Sequence, residues 1–372
     1  MDILECGDES RRKSFVDEFD HTEVETLMNQ LNVIRATQHP HCLVCGGEGE
    51  PLYEAMQDRL YGASGTWTLT KCKSAGCSLV WLDPMPDRRD IAKAYSNYYT
   101  HESVVLKKGR LSRLNDMAVE GYLDLMYGYP ASGRRWVKQT LGGLFFLLPG
   151  RRIDADFSVM WLKNTSGGRL LDVGCGSGDM LMRTQKLGWN VQGLDFDPQA
   201  VEAACKKGLN VKLGSFSEQD FTSDSFDVVT MSHVFEHVHD PVALLEFCKR
   251  VLKPGGRLIL VTPNNESLLH NIYRKNWKPL EPPRHLYLFN SATLATLAKR
   301  AGFSDVAVKT IIRDANGIFL GSQSLKYTGK YDMSKLQPLR LRLLATWIQV
   351  FEWIVRFFMR NSGEEILLIT RK

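Results

Sequence analysis

From Gly167 onward, apolar runs of strand length alternate with stretches of helical spacing. RLLDVG, NVQGLD, LNVKLG, FDVVTM and RLILVT are five such runs, and the segments around Asp179–Leu187, Pro198–Lys207 and Pro241–Leu252 suit amphipathic helices. Strands that are apolar throughout, each followed by a helix, bury both faces of a parallel sheet. Ser291–Ala301 continues the series as a helix closed by Gly302, DVAVKTII as a sixth strand and EEILLIT as a seventh. The expected class is α/β: a doubly wound, seven-stranded, mostly parallel sheet over 167–315, completed by its last strand within 363–372.

Other patterns flank this core. Glu23–Gln38 has helical spacing, which predicts a helical extension over 1–40. Residues 41–86 are short, strand-like and rich in cysteine and glycine, whereas 87–166 reads as a helical connector with Ile91, Ala94, Tyr95 and Tyr98 at helical spacing. An insertion over 316–362 carries a further helix, Leu339–Met359. Its polar residues Arg342, Thr346, Gln349, Glu352, Arg356 and Arg360 form a narrow stripe, leaving a wide arc with Trp347, Phe351, Trp353, Ile354, Phe357 and Phe358. The helix is too interrupted for a transmembrane span. Its arc either packs on protein, including a second copy in a homodimer, or lies in a bilayer interface as a peripheral membrane contact. LGGLFFLLPGRR, Leu141–Arg152, is a candidate second shallow anchor.

Composition narrows the partners. With 372 residues, 44% hydrophobic, the chain can bury one large core and a small second one. A net charge of +5 from scattered basic residues describes a solvated surface, so no nucleic-acid partner is expected. The N-terminus MDILECGDESRRKSF lacks the apolar run of a secretory signal, which predicts a cytoplasmic chain, with contact at the inner face of the membrane left open by Leu339–Met359. Cysteines there are reduced thiols or metal ligands. Cys42-x2-Cys45 and Cys72-x4-Cys77, each beside glycine, have the spacing of a closed four-thiolate zinc site, structural because no coordination position stays open.

The first core strand ends in LDVGCGSGD, where Gly174, Gly176 and Gly178 precede a helix; glycines allow a sharp turn and bring N–H groups close to a ligand. Asp195, at the end of the second strand, is placed to accept hydrogen bonds from ribose hydroxyls. The dinucleotide pattern G-x-G-x-x-G fails, because its third position counted from Gly174 is Asp179. The observed D-x-G-x-G-x-G from Asp172 resembles instead the first motif of the class I S-adenosylmethionine-dependent methyltransferases. Phe226-Asp227, FEHVHDP, LKPGGRLIL and PPRHLYLFNSATL extend that resemblance from Arg169 to Asp314, towards a bacterial small-molecule or sugar-type subgroup with a Rossmann-like fold. CLVCGG through CSLVWLDPMPD is similar to the zinc-ribbon-like head that precedes many of its members.

By position, the resemblance implies S-adenosylmethionine as cofactor, with Asp172, Gly174, Cys175, Gly176 and Gly178 along its methionine part, Asp195 at the ribose, Phe196 over the adenine, and Ser215 and Phe216 at the adenine edge. His233, Glu236 and His237 also spell H-x-x-E-H, a zinc-peptidase pattern that requires a continuous helix; here it follows a strand and precedes the helix start His239-Asp240-Pro241. These residues instead lie on the loop after the fourth strand, where doubly wound folds bind ligands. The resemblance implies that His237 is a base for a small-molecule acceptor, a sugar or a lipid-linked or polysaccharide precursor; capping or ordering the loop is the structural alternative, and His233 is a weaker candidate. Arg284 and His285 either grip an anionic acceptor or tie the loop down, and Trp277 and Tyr287 either shape the pocket or fill the core. A quinone-type aromatic acceptor and a non-catalytic, methyltransferase-like binding or assembly role both stay open.

Overall fold

The computed structural model describes residues 33–96, 110–165, 167–332 and 338–372. In chain order its strands are β1 (Ala36–Thr37), β2 (Gly49–Met56), β3 (Trp67–Cys72), β4 (Val80–Leu82), β5 (Met85–Pro86), β6 (Arg169–Val173), β7 (Asn190–Asp195), β8 (Val211–Leu213), β9 (Phe226–Ser232), β10 (Leu252–Pro263), β11 (Tyr287–Leu288), β12 (Ser304–Ile311) and β13 (Glu365–Arg371). The α-helices are α1 (Arg110–Tyr127), α2 (Arg135–Gly143), α3 (Pro149–Ser158), α4 (Asp179–Lys186), α5 (Pro198–Lys206), α6 (Pro241–Val251), α7 (Leu268–Tyr273), α8 (Ser291–Arg300), α9 (Ala315–Thr328) and α10 (Leu339–Phe358).

Seven strands form one sheet in the order β12-β13-β10-β9-β6-β7-β8. All neighbours from β10 to β8 run parallel, and β13 is antiparallel to both β10 and β12. This bears out the expected doubly wound, mostly parallel class. Alternate residues serve opposite faces: Leu171, Val173, Val229 and Met231 enter one apolar cluster, and Leu170, Val228, Ile259 and Val261 the other. Such double burial explains why these strands carry no polar alternation. Helix starts follow local chemistry. Asp197 accepts from Gln199 N and Ala200 N ahead of α5, Asp240 from Ala243 N ahead of α6, and each is followed by proline at the first helical position.

The cysteine-rich segment forms an antiparallel sheet with a strand borrowed from the core. Its order is β11-β4-β3-β2, with Tyr287 opposite Trp81 and Leu288 opposite Val80. The head's Trp67, Leu69, Leu79 and Trp81 share one cluster with core residues such as Leu260, Leu286 and Phe289. Head and core are therefore joined by backbone pairing and common burial.

One local expectation is corrected, and the helical connector is divided into its parts. The helix expected over Glu23–Gln38 falls largely outside the described residues, and where it is described Ala36–Thr37 is a strand, held by pairing with Met85–Pro86. The connector is not one continuous helix: a 3-10 turn at Ile91–Tyr95 precedes α1, and Gly128–Arg134 breaks the chain before α2.

Candidate functional site

Gly174, Gly176 and Gly178 have φ of +70°, +53° and +79°, a region disfavoured for residues with a Cβ. A methyl at Gly174 would lie 2.2 Å from Val234 Cγ2, and one at Gly178 2.3 Å from Leu209 Cδ1. Gly176 faces open space. Beside it, Asp195 accepts hydrogen bonds from Gly176 N at 2.7 Å and Asp197 N at 2.9 Å. Asp172 accepts from Thr230 Oγ1 at 2.7 Å. Burial pushes the Asp172 carboxyl up to about 7, and the charge of Asp195 adds to that rise; burial raises Asp195 as well. Two buried carboxyl groups beside the glycine bend suit a ligand with a positive centre and hydroxyl donors.

Phe196 follows Asp195 and is 54% exposed, so its ring is free to cover a flat group. Gly214 N donates to Asp195 O at 2.9 Å, which brings Ser215 to the same edge. Phe216 points differently, packing on Phe247 at 5.8 Å. Cys175 is buried beneath the bend, its thiol pKa raised first by burial and then by Asp172 and Asp195.

The opposite rim is the loop after β9. His233 turns the chain with φ +54°, and Phe235–His237 form one 3-10 turn, so the helix required of a zinc-peptidase H-x-x-E-H is absent. Glu236 O accepts from Leu286 N at 2.8 Å, tying the turn to the segment before β11. His237 Nδ1 lies 3.0 Å from Arg284 O and 2.9 Å from the Tyr95 hydroxyl. A carbonyl only accepts, so Nδ1 carries the hydrogen and Nε2 keeps its lone pair. Burial, assisted by the nearby His285, lowers the His237 pKa to about 4 and keeps the ring neutral near pH 7.

Glu236 is fully buried and accepts from Thr262 Oγ1 at 2.9 Å. Its Oε1 is 3.3 Å from His233 Nδ1 and 4.0 Å from His285 Nε2. Burial alone would raise this carboxyl, but the hydrogen bond and charge of His233 hold it down to about 2. His233 Nε2 lies 2.8 Å from both Glu365 Oε1 and Arg313 Nη2. Burial opposes its charge, yet Glu236 and Glu365 together raise its pKa to about 9; with partners at both ring nitrogens, His233 has no free nitrogen to act as a base. The ligand-type atoms of Glu236, His237 and His285 lie within 4.8 Å of one another, and His233 stands outside that set.

Arg284 does not reach an open pocket. Its guanidinium, fully buried, binds Asp58 at 2.8 and 2.9 Å, Glu281 at 2.9 Å and Ala94 O at 2.9 Å. Of the two readings of Arg284, these contacts are those of a tie between loop and head and not of a grip on an anionic acceptor. His285 Nδ1 donates to Pro279 O at 2.7 Å, and its ring centroid is 4.6 Å from that of His237, so it supports the candidate base. Trp277 is buried on His270 with Nε1 donating to Glu364 at 3.0 Å, and Tyr287 is buried in β11; both are core residues.

Tyr95 was legible only as one of several tyrosines in the connector, and Tyr98 lies outside the described residues. Thr230, Thr262, Glu365 and Arg313 escaped sequence reasoning altogether. Asp58 carried no local signal, since it meets Arg284 across 226 positions.

In the head, the sulfurs of Cys42, Cys45, Cys72 and Cys77 all lie within 4.8 Å of one another, with Cys42 to Cys77 at 3.6 Å and Cys45 to Cys72 at 3.4 Å. Four thiolates about 2.3 Å from a tetrahedral zinc would be separated by nearly 4 Å. The donor set fits that ion.

Residues 148–308 match the family model described as "Methyltransferase domain". Ubiquinone biosynthesis O-methyltransferase of Xanthomonas oryzae pv. oryzae (strain PXO99A) is 41% identical over 106 residues, 27% of this chain and 44% of the relative. The enzyme of that name from Xanthomonas campestris pv. campestris (strain B100) is 38% identical over 105 residues, 26% and 44% of the two chains. The chain thus spans less than half the length of these curated relatives. Among solved structures, a Thermotoga maritima methyltransferase described as a possible histamine N-methyltransferase is 20% identical, covering 64% of this chain and 96% of that one with a TM-score of 0.41. Phosphoethanolamine N-methyltransferase 2 of Haemonchus contortus is 17% identical, covering 79% and 63% with a TM-score of 0.39. Residues 148–308 are thus similar to a methyltransferase domain, over the same stretch that holds the glycine bend and the loop after β9.

Proposed function

We propose that the chain transfers a methyl group from S-adenosylmethionine to a small-molecule acceptor, with His237 as the base. One observation carries this reading: a continuous series of contacts links the glycine bend to the candidate base. Val234 abuts Gly174, Asp195 holds Gly176 N, Phe196 meets Tyr95 edge-on at 5.3 Å, and Tyr95 bonds His237. Asp172, Gly174, Cys175, Gly176 and Gly178 would hold the methionine part, Asp195 the ribose hydroxyls, Phe196 an adenine face and Ser215 its edge. When bound, the compound supplies an electrophilic methyl on a sulfonium.

The protein's own task is to orient an acceptor and move its proton. His237 Nε2 can take that proton while Nδ1–H stays on Arg284 O, and the Glu236 carboxylate beneath offsets the charge gained. The acceptor is a sugar or a lipid-linked or polysaccharide precursor. Methylation of an aromatic hydroxyl of quinone type is the second reading, favoured by the name of the Xanthomonas relatives. Titration with S-adenosylhomocysteine, with Asp195→Ala as control, tests the donor site. Metabolite profiling with labelled methyl donor, with His237→Ala alongside, distinguishes an enzyme from a methyltransferase-like binder. No measurable affinity for the thioether would overturn the reading.

In the same proposal Cys42, Cys45, Cys72 and Cys77 hold a structural zinc. Metal analysis of the purified chain should give about one zinc, and chelation should loosen the head before the core.

A further inference from the structure

Helix α10 is turned inside out. Its polar members Gln349, Glu352 and Arg356 face the protein: Gln349 donates to Ile312 O at 3.1 Å and packs against Gly150, and Glu352 is fully buried. Both Glu352 carboxylate oxygens lack a hydrogen-bond partner, and burial, with Glu364 nearby, raises the carboxyl well above its usual range. The apolar arc faces outward. Leu343, Trp347, Phe351, Ile354 and Phe358 recur at steps of four, four, three and four, one continuous exposed stripe, with Trp347 at 69% and Phe358 at 85% exposure. Exposed apolar area of this extent marks an interaction surface.

A second segment, remote in sequence, reaches the same region. The 3-10 turn Leu144–Leu147 leads directly into α3, which packs on α10 where Gly150 meets Gln349, and Leu147 at its tip is 78% exposed. Basic residues predominate on both segments, with Arg135 paired to Asp124, Lys138 to Glu120 and Arg151 acting on Asp154. Residues 126–153 hold Arg134, Arg135, Lys138, Arg151 and Arg152 and no acid; residues 338–363 hold Arg340, Arg342, Arg356 and Arg360 and only the buried Glu352. Among the described residues, Arg134, Arg151, Arg340, Arg342 and Arg360 make no salt bridge.

We propose that this face docks on an anionic lipid surface, with the Trp347 to Phe358 stripe and the Leu147 tip at the level of the acyl chains and the arginines on lipid phosphates. Charge selects the lipid over a second copy of the chain. A two-fold contact through this face would set the same unpaired arginines against one another, whereas a negative surface neutralises them. No helix among the described residues is long and apolar enough to cross a membrane, so the contact is interfacial. This inference stands apart from the methyl-transfer reading, since it uses none of that site's residues.

The test is sedimentation of the full purified chain with vesicles of phosphatidylcholine alone or mixed with phosphatidylglycerol, alongside its oligomeric state by analytical ultracentrifugation. Expected are binding to the anionic vesicles that weakens with salt, a loss of about tenfold or more in Trp347→Ser/Phe358→Ser and in Leu147→Ser/Leu148→Ser, and loss of anionic preference in Arg340→Gln/Arg342→Gln. Far-ultraviolet circular dichroism and the urea-unfolding midpoint should match the wild type in all three variants, showing that each is folded. Absence of binding above that to phosphatidylcholine overturns the proposal. So does a dimer that Trp347→Ser/Phe358→Ser dissociates while vesicles bind nothing, because a second copy would then cover the stripe.

Discussion

The corner around His233 and the corner around His237 occupy one loop, four residues apart, and meet opposite electrostatics. His233 lies between Glu236 and Glu365, which raise its pKa to about 9; His237 lies beside His285, Tyr95 and a backbone carbonyl, and burial lowers it to about 4. One is a ring held at both nitrogens that ties β9 to β13, and the other a neutral ring with a free lone pair. Residue type and spacing do not separate two such histidines. Their partners come from β13, from the Ile91–Tyr95 turn and from the segment before β11, elements distant in sequence. Glu236 serves both corners, bonding His233 and lending its field to His237.

The sharpest way to break this comparison is to remove each ring. His237→Ala should lower kcat about 10²–10⁴-fold with cofactor affinity intact, whereas His233→Ala should act chiefly through stability. Equal kinetic losses in steady-state assays would erase the distinction. Next in size, Glu236→Ala should cost about 1–3 kcal/mol in urea unfolding, because it leaves the partly exposed His233 with one carboxylate fewer and the buried Thr262 hydroxyl without its acceptor. The pH dependence separates the corners without mutation. A folded pKa raised to about 9 makes the stability contributed by His233 fully present below its unfolded value of 6.5 and lost as pH rises through 9. The urea midpoint should therefore fall across that window, and less steeply in Glu365→Gln. His237 behaves in the reverse sense: its depressed pKa places the acid limb of kcat near 4, well below an ordinary histidine. The smallest effect belongs to Tyr95→Phe, which deletes one hydrogen bond to His237 and should cost about 0.5–1.5 kcal/mol of transition-state stabilisation, read from kcat/KM.

The core strands were readable because double burial leaves an uninterrupted apolar run, and α4, α5 and α6 because capping residues and proline mark where a helix opens. The glycine bend was readable because positive φ and close approach to Val234 and Leu209 restrict the residue type. Arg284 shows where such reading stops. An arginine behind two prolines is compatible with gripping a ligand or tying a loop, and only Asp58, brought in by the head, settled it. The polar stripe of α10 was likewise visible, but which side of the helix the protein would bury was not.

Taken alone, the amino-acid order determined the α/β core, the glycine bend, the pairing of carboxylate and glycine loop, and the cysteine quartet, since each depends on periodicity or on short-range backbone chemistry. Tertiary structure alone decided that the head borrows β11, that Arg284 is a tie, that His237 and not His233 keeps a free nitrogen, and that α10 shows its aromatic side outward. Each of those outcomes rests on charges and surfaces that meet only after folding, because desolvation and neighbouring charge act through space and carry no periodic trace along the chain.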